Sequence, residues 1–174
     1  AEHLVSRAAW LDPKKLAMME PMKFTARDGL EIEVFVTVPE GSDGKNRPLI
    51  VNPHGGPFGP FDQWGFDPEI QLLANRGYAV MQVNFRGSGN YGKSFMEAGY
   101  EQWGKAMQDD LTDATRWAIQ QGIADPNRIC MYGASYGAYA SLMGAAKEPN
   151  LYRCVVGNVG TYDLTLQISG TTRG

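Results

Sequence analysis

The 174-residue sequence is poor in histidine: it has two, His3 and His54, and none in its later two-thirds. Cysteine is equally scarce, with Cys130 and Cys154 alone. Lys14-Lys15 is the one adjacent basic pair, and there is no internal repeat or low-complexity tract. No apolar run approaches the ~20 residues that span a bilayer, and the opening residues carry no signal-peptide pattern. These scarcities exclude function classes. Scattered basic residues and a net charge of −3 argue against nucleic-acid tracking, which needs a clustered positive stripe. No membrane-spanning helix is expected. The two cysteines fall in short apolar runs and read as buried thiols rather than a disulfide.

What is present is ordinary for one globular unit, with 43% hydrophobic and 20% charged residues. A chain this long can bury about 70% of its unfolded surface. Strands are expected at residues 22–25, 32–38, 49–52, 78–85, 129–132 and 154–158, with helices at 68–75, 107–120 and 136–147. Asp28-Gly29 marks a hairpin turn between the first two strands. Short apolar strands separated by helices then predict a mostly parallel sheet covered on both faces.

The decisive motif is Gly133-Ala134-Ser135-Tyr136-Gly137. A G-x-S-x-G between a strand and a small-residue helix is the setting of a nucleophile elbow. The serine occupies a strained turn, and the flanking glycines let backbone segments approach. The plainer alternative is a helix start that Ser135 merely caps. Upstream, the expected strand 49–52 breaks into Pro53-His54-Gly55-Gly56-Pro57. Its glycines can turn N–H groups toward a developing oxyanion, with the N–H of Tyr136 as second donor. Gly56, or Gly55, supplies the first; the plain reading is a Gly-Pro turn.

These stretches, with Asn84 to Gly92 (NFRGSGNYG), Trp103-Gly104, Asp109-Asp110 and Asp125 to Ile129 (DPNRI), resemble the prolyl oligopeptidase family of serine peptidases, most closely its acylaminoacyl-peptidase-like branch. The likeness runs over about residues 24–163. Ala138 departs from it, standing where the family usually has a second glycine. The resemblance implies an α/β-hydrolase domain preceded by a β-propeller, acting on short peptides without metal or organic cofactor. Ser135 would be the nucleophile, Tyr136 and Gly56 the oxyanion donors. Residues 1–20 would be a linker or the propeller's end, and residues 21–174 the N-terminal part of the hydrolase domain, about six of its eight strands.

In α/β-hydrolases the chain order is Ser, then Asp or Glu, then His. No histidine follows Ser135. His54 belongs to the oxyanion loop and reads as a loop-ordering residue, and His3 lies before any strand. Asp163 is the one acid after the last expected strand and is read as an ordinary loop residue. Losing the base of a serine protease costs about 10⁶-fold in kcat, so this chain alone is expected to be nearly inert. The missing base and acid would come from a C-terminal portion that is absent, cleaved or on another chain. Two alternatives stand beside the peptidase: a carboxylesterase or lipase on the same fold, and a non-catalytic piece that works only with its missing half. A homo-oligomer is compatible with each, and the compartment is open between cytoplasm, periplasm and exterior.

Three further features have plain readings. Gly87-Ser88-Gly89-Asn90-Tyr91-Gly92 matches the dinucleotide pattern, but a glycine-interrupted segment follows it; the resemblance implies instead a structural loop near the active site, where Arg86 would anchor backbone carbonyls or a carboxylate. Asp109, Asp110 and Asp113 lack further metal ligands and read as charges favoured at a helix N-terminus. Phe58, Phe61, Trp64 and Phe66 read either as a pocket lining or as packing under a long loop.

Overall fold

A computed structural model describes residues 11–165. Six strands, β1 (Met19–Thr25), β2 (Glu31–Thr37), β3 (Arg47–Pro53), β4 (Ala79–Asn84), β5 (Ala124–Ala134) and β6 (Cys154–Asn158), form one sheet in the order β1-β2-β4-β3-β5-β6. Helices are α1 (Pro68–Asn75), α2 (Lys93–Glu97), α3 (Ala106–Gln120) and α4 (Tyr136–Lys147). β1, β2 and β4 pair antiparallel, whereas β3 pairs parallel with β4 and β5, and β5 with β6. This is the expected α/β-hydrolase arrangement.

Local chemistry explains the elements. Gly29 takes φ 91°, and the Ala26 N–H and Leu30 carbonyl close the β1–β2 hairpin at 2.8 Å. Asp67 caps α1 by accepting from the Glu69 and Ile70 N–H groups, with Pro68 in the first turn. β4 is buried at every residue, as a strand covered on both faces must be. On one face, Val51, Met81, Val83, Ile129 and Met131 meet Met107 and Leu111 of α3 and Tyr136 and Ala140 of α4. The other face packs Ile50 and Val80 against Ile70 of α1.

Four differences from the sequence reading have physical causes. β1 begins at Met19, inside the stretch assigned to a linker, because the Met19 carbonyl accepts from Trp64 Nε1 at 3.0 Å and Met19 pairs with Thr37. β5 starts five residues earlier than expected: Ala124 pairs with Arg47, then a register shift absorbs Pro126 before Leu49 meets Ile129. A one-turn helix, α2, opens after Gly92. The cysteines form a disulfide, with Cys130 and Cys154 directly opposite on adjacent parallel strands, Cα atoms 4.7 Å apart. Cys154 is exposed and Cys130 half-buried, so neither is the buried thiol expected.

Candidate active site

Because β3 and β5 are adjacent and parallel, the loops leaving their carboxyl ends emerge side by side. β3 leads into His54-Gly55-Gly56, β5 into Ser135.

Ser135 has φ 57° and ψ −120°, a conformation that costs a non-glycine residue about 1–3 kcal/mol. Its surroundings hold it there: the Ser135 N–H donates to the Asn158 carbonyl at 3.0 Å, and its carbonyl accepts from the N–H groups of Ala138 and Tyr139. Its side chain makes no capping bond to α4, and the residue is exposed. The capping alternative therefore fails. A Cβ on Gly133 would lie 2.6 Å from the Gly137 carbonyl carbon, and one on Gly137 would overlap the Pro53 carbonyl oxygen. Both glycines permit backbone contact. Ala138 is tolerated because the opposing positions are Gly157 and Gly160, whose own Cβ atoms would crowd its methyl group.

The other loop reaches the serine directly: a Cβ on Gly55 would sit 3.4 Å from Ser135 Cβ and 4.0 Å from its Oγ. Gly56 takes φ 123°, which a side chain rarely adopts, and precedes a cis bond to Pro57. Among the described residues, the Gly55 and Gly56 N–H groups make no turn or loop bond to a backbone carbonyl. Tyr136 is fixed by its buried ring, which packs against Phe85, Trp103 and Tyr139.

His54 is built into this loop. Its ring stacks on Phe85 with centroids 4.4 Å apart. Nδ1 lies 2.7 Å from the Gly55 carbonyl and Nε2 2.8 Å from Ser88 Oγ. A carbonyl only accepts, so Nδ1 carries a proton, and burial pushes the imidazole below its ordinary value; Ser88 Oγ, against Nε2, also donates to the Phe85 carbonyl at 2.7 Å. Both ring nitrogens are thus engaged within the two loops, the Gly55 carbonyl on one side and Ser88 on the other.

Arg86 is equally committed. It makes a two-pronged pair with Asp110 (2.8 and 2.7 Å), a 2.7 Å pair with Asp28, and donates its backbone N–H to Asp110. Hydrogen bonding to Asp110 holds the guanidinium charged despite burial. The acidic cluster thus has in part a different basis from the one expected. Asp110 anchors Arg86, Asp113 pairs with Arg27 at 2.7 Å, and Asp109 takes Lys147 at 3.0 Å. Ion pairing places Asp110 and Asp113, while Asp109 combines its ion pair with the expected position in the first turn of α3.

Gly87 and Gly89 of the 87–92 loop pack against the loop that follows Gly56. A Cβ on Gly89 would overlap the Gly59 carbonyl oxygen, and the Gly89 N–H donates to the Pro60 carbonyl at 3.1 Å. Sequence reasoning quoted this stretch but missed its partner, the loop at residues 57–62. It also missed Ser88 under His54, and Asn84, whose side chain accepts from the Asp62 N–H and donates to the Asp62 carbonyl. Two polar residues in a strand buried throughout, Gln82 and Asn84 in AVMQVN, were the available signal. Of the aromatics past the loop, Phe58 packs edge-on against Tyr100, while Trp64 and Phe66 are largely exposed.

His3 lies outside the described residues. Asp163 is exposed and accepts from the Thr165 N–H at 2.9 Å. Among the described residues no group of His, Cys, Asp and Glu side chains could hold a metal ion.

Known proteins match this arrangement. A model described as the prolyl oligopeptidase family matches residues 64–173. The chain is 38% identical over 173 residues to dipeptidyl aminopeptidase BIII of Pseudoxanthomonas mexicana, covering 95% of this chain and 25% of that protein. It is 32% identical to the acylamino-acid-releasing enzyme of Sus scrofa, over 75% of this chain and 18% of that protein. A solved acylaminoacyl peptidase in complex with Z-Gly-Gly-Phe-chloromethyl ketone superposes with a TM-score of 0.79 at 29% identity, covering 89% of this chain and 25% of that one. The chain spans between 18% and 25% of the length of these proteins. It belongs to the prolyl oligopeptidase family.

Proposed function

We propose that Ser135 is the nucleophile of a serine peptidase and works within a longer protein. The observation that carries this reading is the strained, exposed, non-capping Ser135 at φ 57°, lying against Gly55. Its Oγ attacks a peptide carbonyl as a base takes its proton. The resulting oxyanion receives the N–H groups of Gly56, or Gly55, and Tyr136, and collapse expels the amine to leave an acyl-enzyme that water hydrolyses. His54 does not serve as base, since both its nitrogens are engaged away from Ser135.

The base and acid belong, in this reading, to a C-terminal part of the hydrolase domain, with a propeller on the N-terminal side. Relatives about four times as long support that division. So does the outer strand β6, where Val156 is 52% exposed and Val159 beyond it 81%. The names of the relatives differ in the end group released, so end-specificity is not assigned. Short peptides are the proposed substrates. An esterase would use the same elbow and loop; comparing a peptide anilide with a short acyl ester on the full-length protein separates the two. Preferential turnover of the ester, with the anilide untouched, contradicts the peptidase reading.

A further inference from the structure

Asp62 lies six residues past Gly56, under the loop that continues from the candidate oxyanion donors. Asn84 clamps its backbone from both sides, at 2.8 Å to the N–H and 2.9 Å to the carbonyl. Its carboxylate meets the Gln82 side chain, where Gln82 Nε2 donates to Asp62 Oδ1 at 2.9 Å. The remaining atoms of the same two groups, Asp62 Oδ2 and Gln82 Oε1, are both buried and, among the described residues, both without a partner. Two orphaned acceptors on groups already joined by one hydrogen bond share a simple remedy. A proton on Oδ2 can donate to Oε1, closing a cyclic acid–amide pair. Both oxygens are sealed from solvent, so a proton fits where a bulkier cation would not.

We propose that Asp62 is a positioning residue held as a neutral carboxylic acid, and that its proton, shared with the Gln82 amide, latches the loop at residues 57–62 against the sheet. The charged and titratable groups around it all favour this form. Asp67, at the start of α1, is of like sign. From β2, Glu33 accepts from Tyr91, which meets the same Asn84 side chain. Among the described residues no cation is a cause of the shift at Asp62. Burial first, then Asp67, push its carboxyl up to about 7, against the Gln82 bond that lowers it. The latch is therefore closed in mild acid and opens as pH rises through neutrality. The latched segment is tied to the glycine loop by bonds from Gly59 to Gly87 and from Gly89 to Pro60. Opening it loosens the connection to Gly56. This last consequence rests on the proposed role of Gly56 and Ser135.

The test uses the full-length protein and Asp62→Asn, whose amide makes both bonds at every pH. Infrared difference spectra should show a protonated carboxyl in the wild type that vanishes as pH passes about 7 and is missing from D62N. The wild-type thermal midpoint should fall relative to D62N between about pH 5 and 8. Fluorophosphonate labelling of Ser135 should slow in the wild type above neutrality, by about tenfold relative to D62N. A wild-type spectrum without that carboxyl band, or a constant midpoint difference, overturns the latch; so does a D62N chain that does not fold. Absence of labelling in both chains at every pH contradicts the Ser135 reading instead, and the infrared and thermal results still decide the latch.

Discussion

At the scale of single residues, the site depends on atoms that are missing. Gly137→Ala would set a methyl group into the Pro53 carbonyl, a backbone group that cannot swing aside. Overpacking costs about 1–3 kcal/mol where neighbours can adjust. Here the expected loss is at the upper end or beyond, read as a lower thermal midpoint together with lost Ser135 labelling. Gly55→Ala is different, because its Cβ meets Ser135 Cβ and the Ala134 carbonyl at 3.4 Å, near ordinary contact. G55A should keep close to wild-type stability while slowing acylation up to about 10²-fold, since small misplacements at a reacting centre carry that cost. Equal losses of stability and labelling would contradict the separation. His54 adds a pH term of defined sign. Its folded value is depressed by burial, so below about 6.5 the unfolded chain takes up the proton first and stability falls with pH. Chemical denaturation of wild type and H54Q between about pH 5 and 8 should show that slope in the wild type only.

Among elements, β5 and its neighbours carry most of the organisation. The disulfide joins β5 five residues before Ser135 to the start of β6, whose far end holds the Ser135 N–H. Closing a loop with a sequence separation of 24 stabilises by about 3.5 kcal/mol in the chain-entropy account. The double variant C130S/C154S should lose stability of that order; an unchanged denaturation midpoint would show that the bond contributes nothing. Arg86 joins the 84–92 loop to α3 and to the β1–β2 turn. Arg86→Met leaves the Asp110 carboxylate buried alone, a change that costs about 3–5 kcal/mol. Much at this scale was legible in the sequence. Alternation, turn residues and small-residue runs marked all six strands and the three longer helices. The bulge at Pro126 was not, because pairing across it depends on Arg47, far away in sequence. The disulfide escaped for a similar reason: register decides whether two cysteines face each other, and register is not a local property.

For the whole molecule, parallel pairing of β3 with β5 brings two distant motifs to one edge of the sheet. Gly55 and Ser135, eighty positions apart in chain order, lie so close there that a Cβ on Gly55 would contact the serine. The elbow and the glycine loop could be read from sequence because each has a local pattern with a mechanical reason. The supports beneath them could not: Ser88 under His54, Asn84 and Gln82 on Asp62, and Gly157 and Gly160 opposite Ala138 are meetings made by tertiary folding. In the proposed reading Ser135 is part of a larger unit, with base and acid supplied from beyond the described residues. Its central claim is that this serine is an activated nucleophile. The most direct measurement is fluorophosphonate labelling of the full-length protein, with the modified peptide identified by mass spectrometry, beside Ser135→Ala. The account predicts a single adduct on Ser135 that disappears in S135A while the thermal midpoint stays close to wild type. A well-folded full-length protein that takes no label, or takes it on another serine, would contradict the claim.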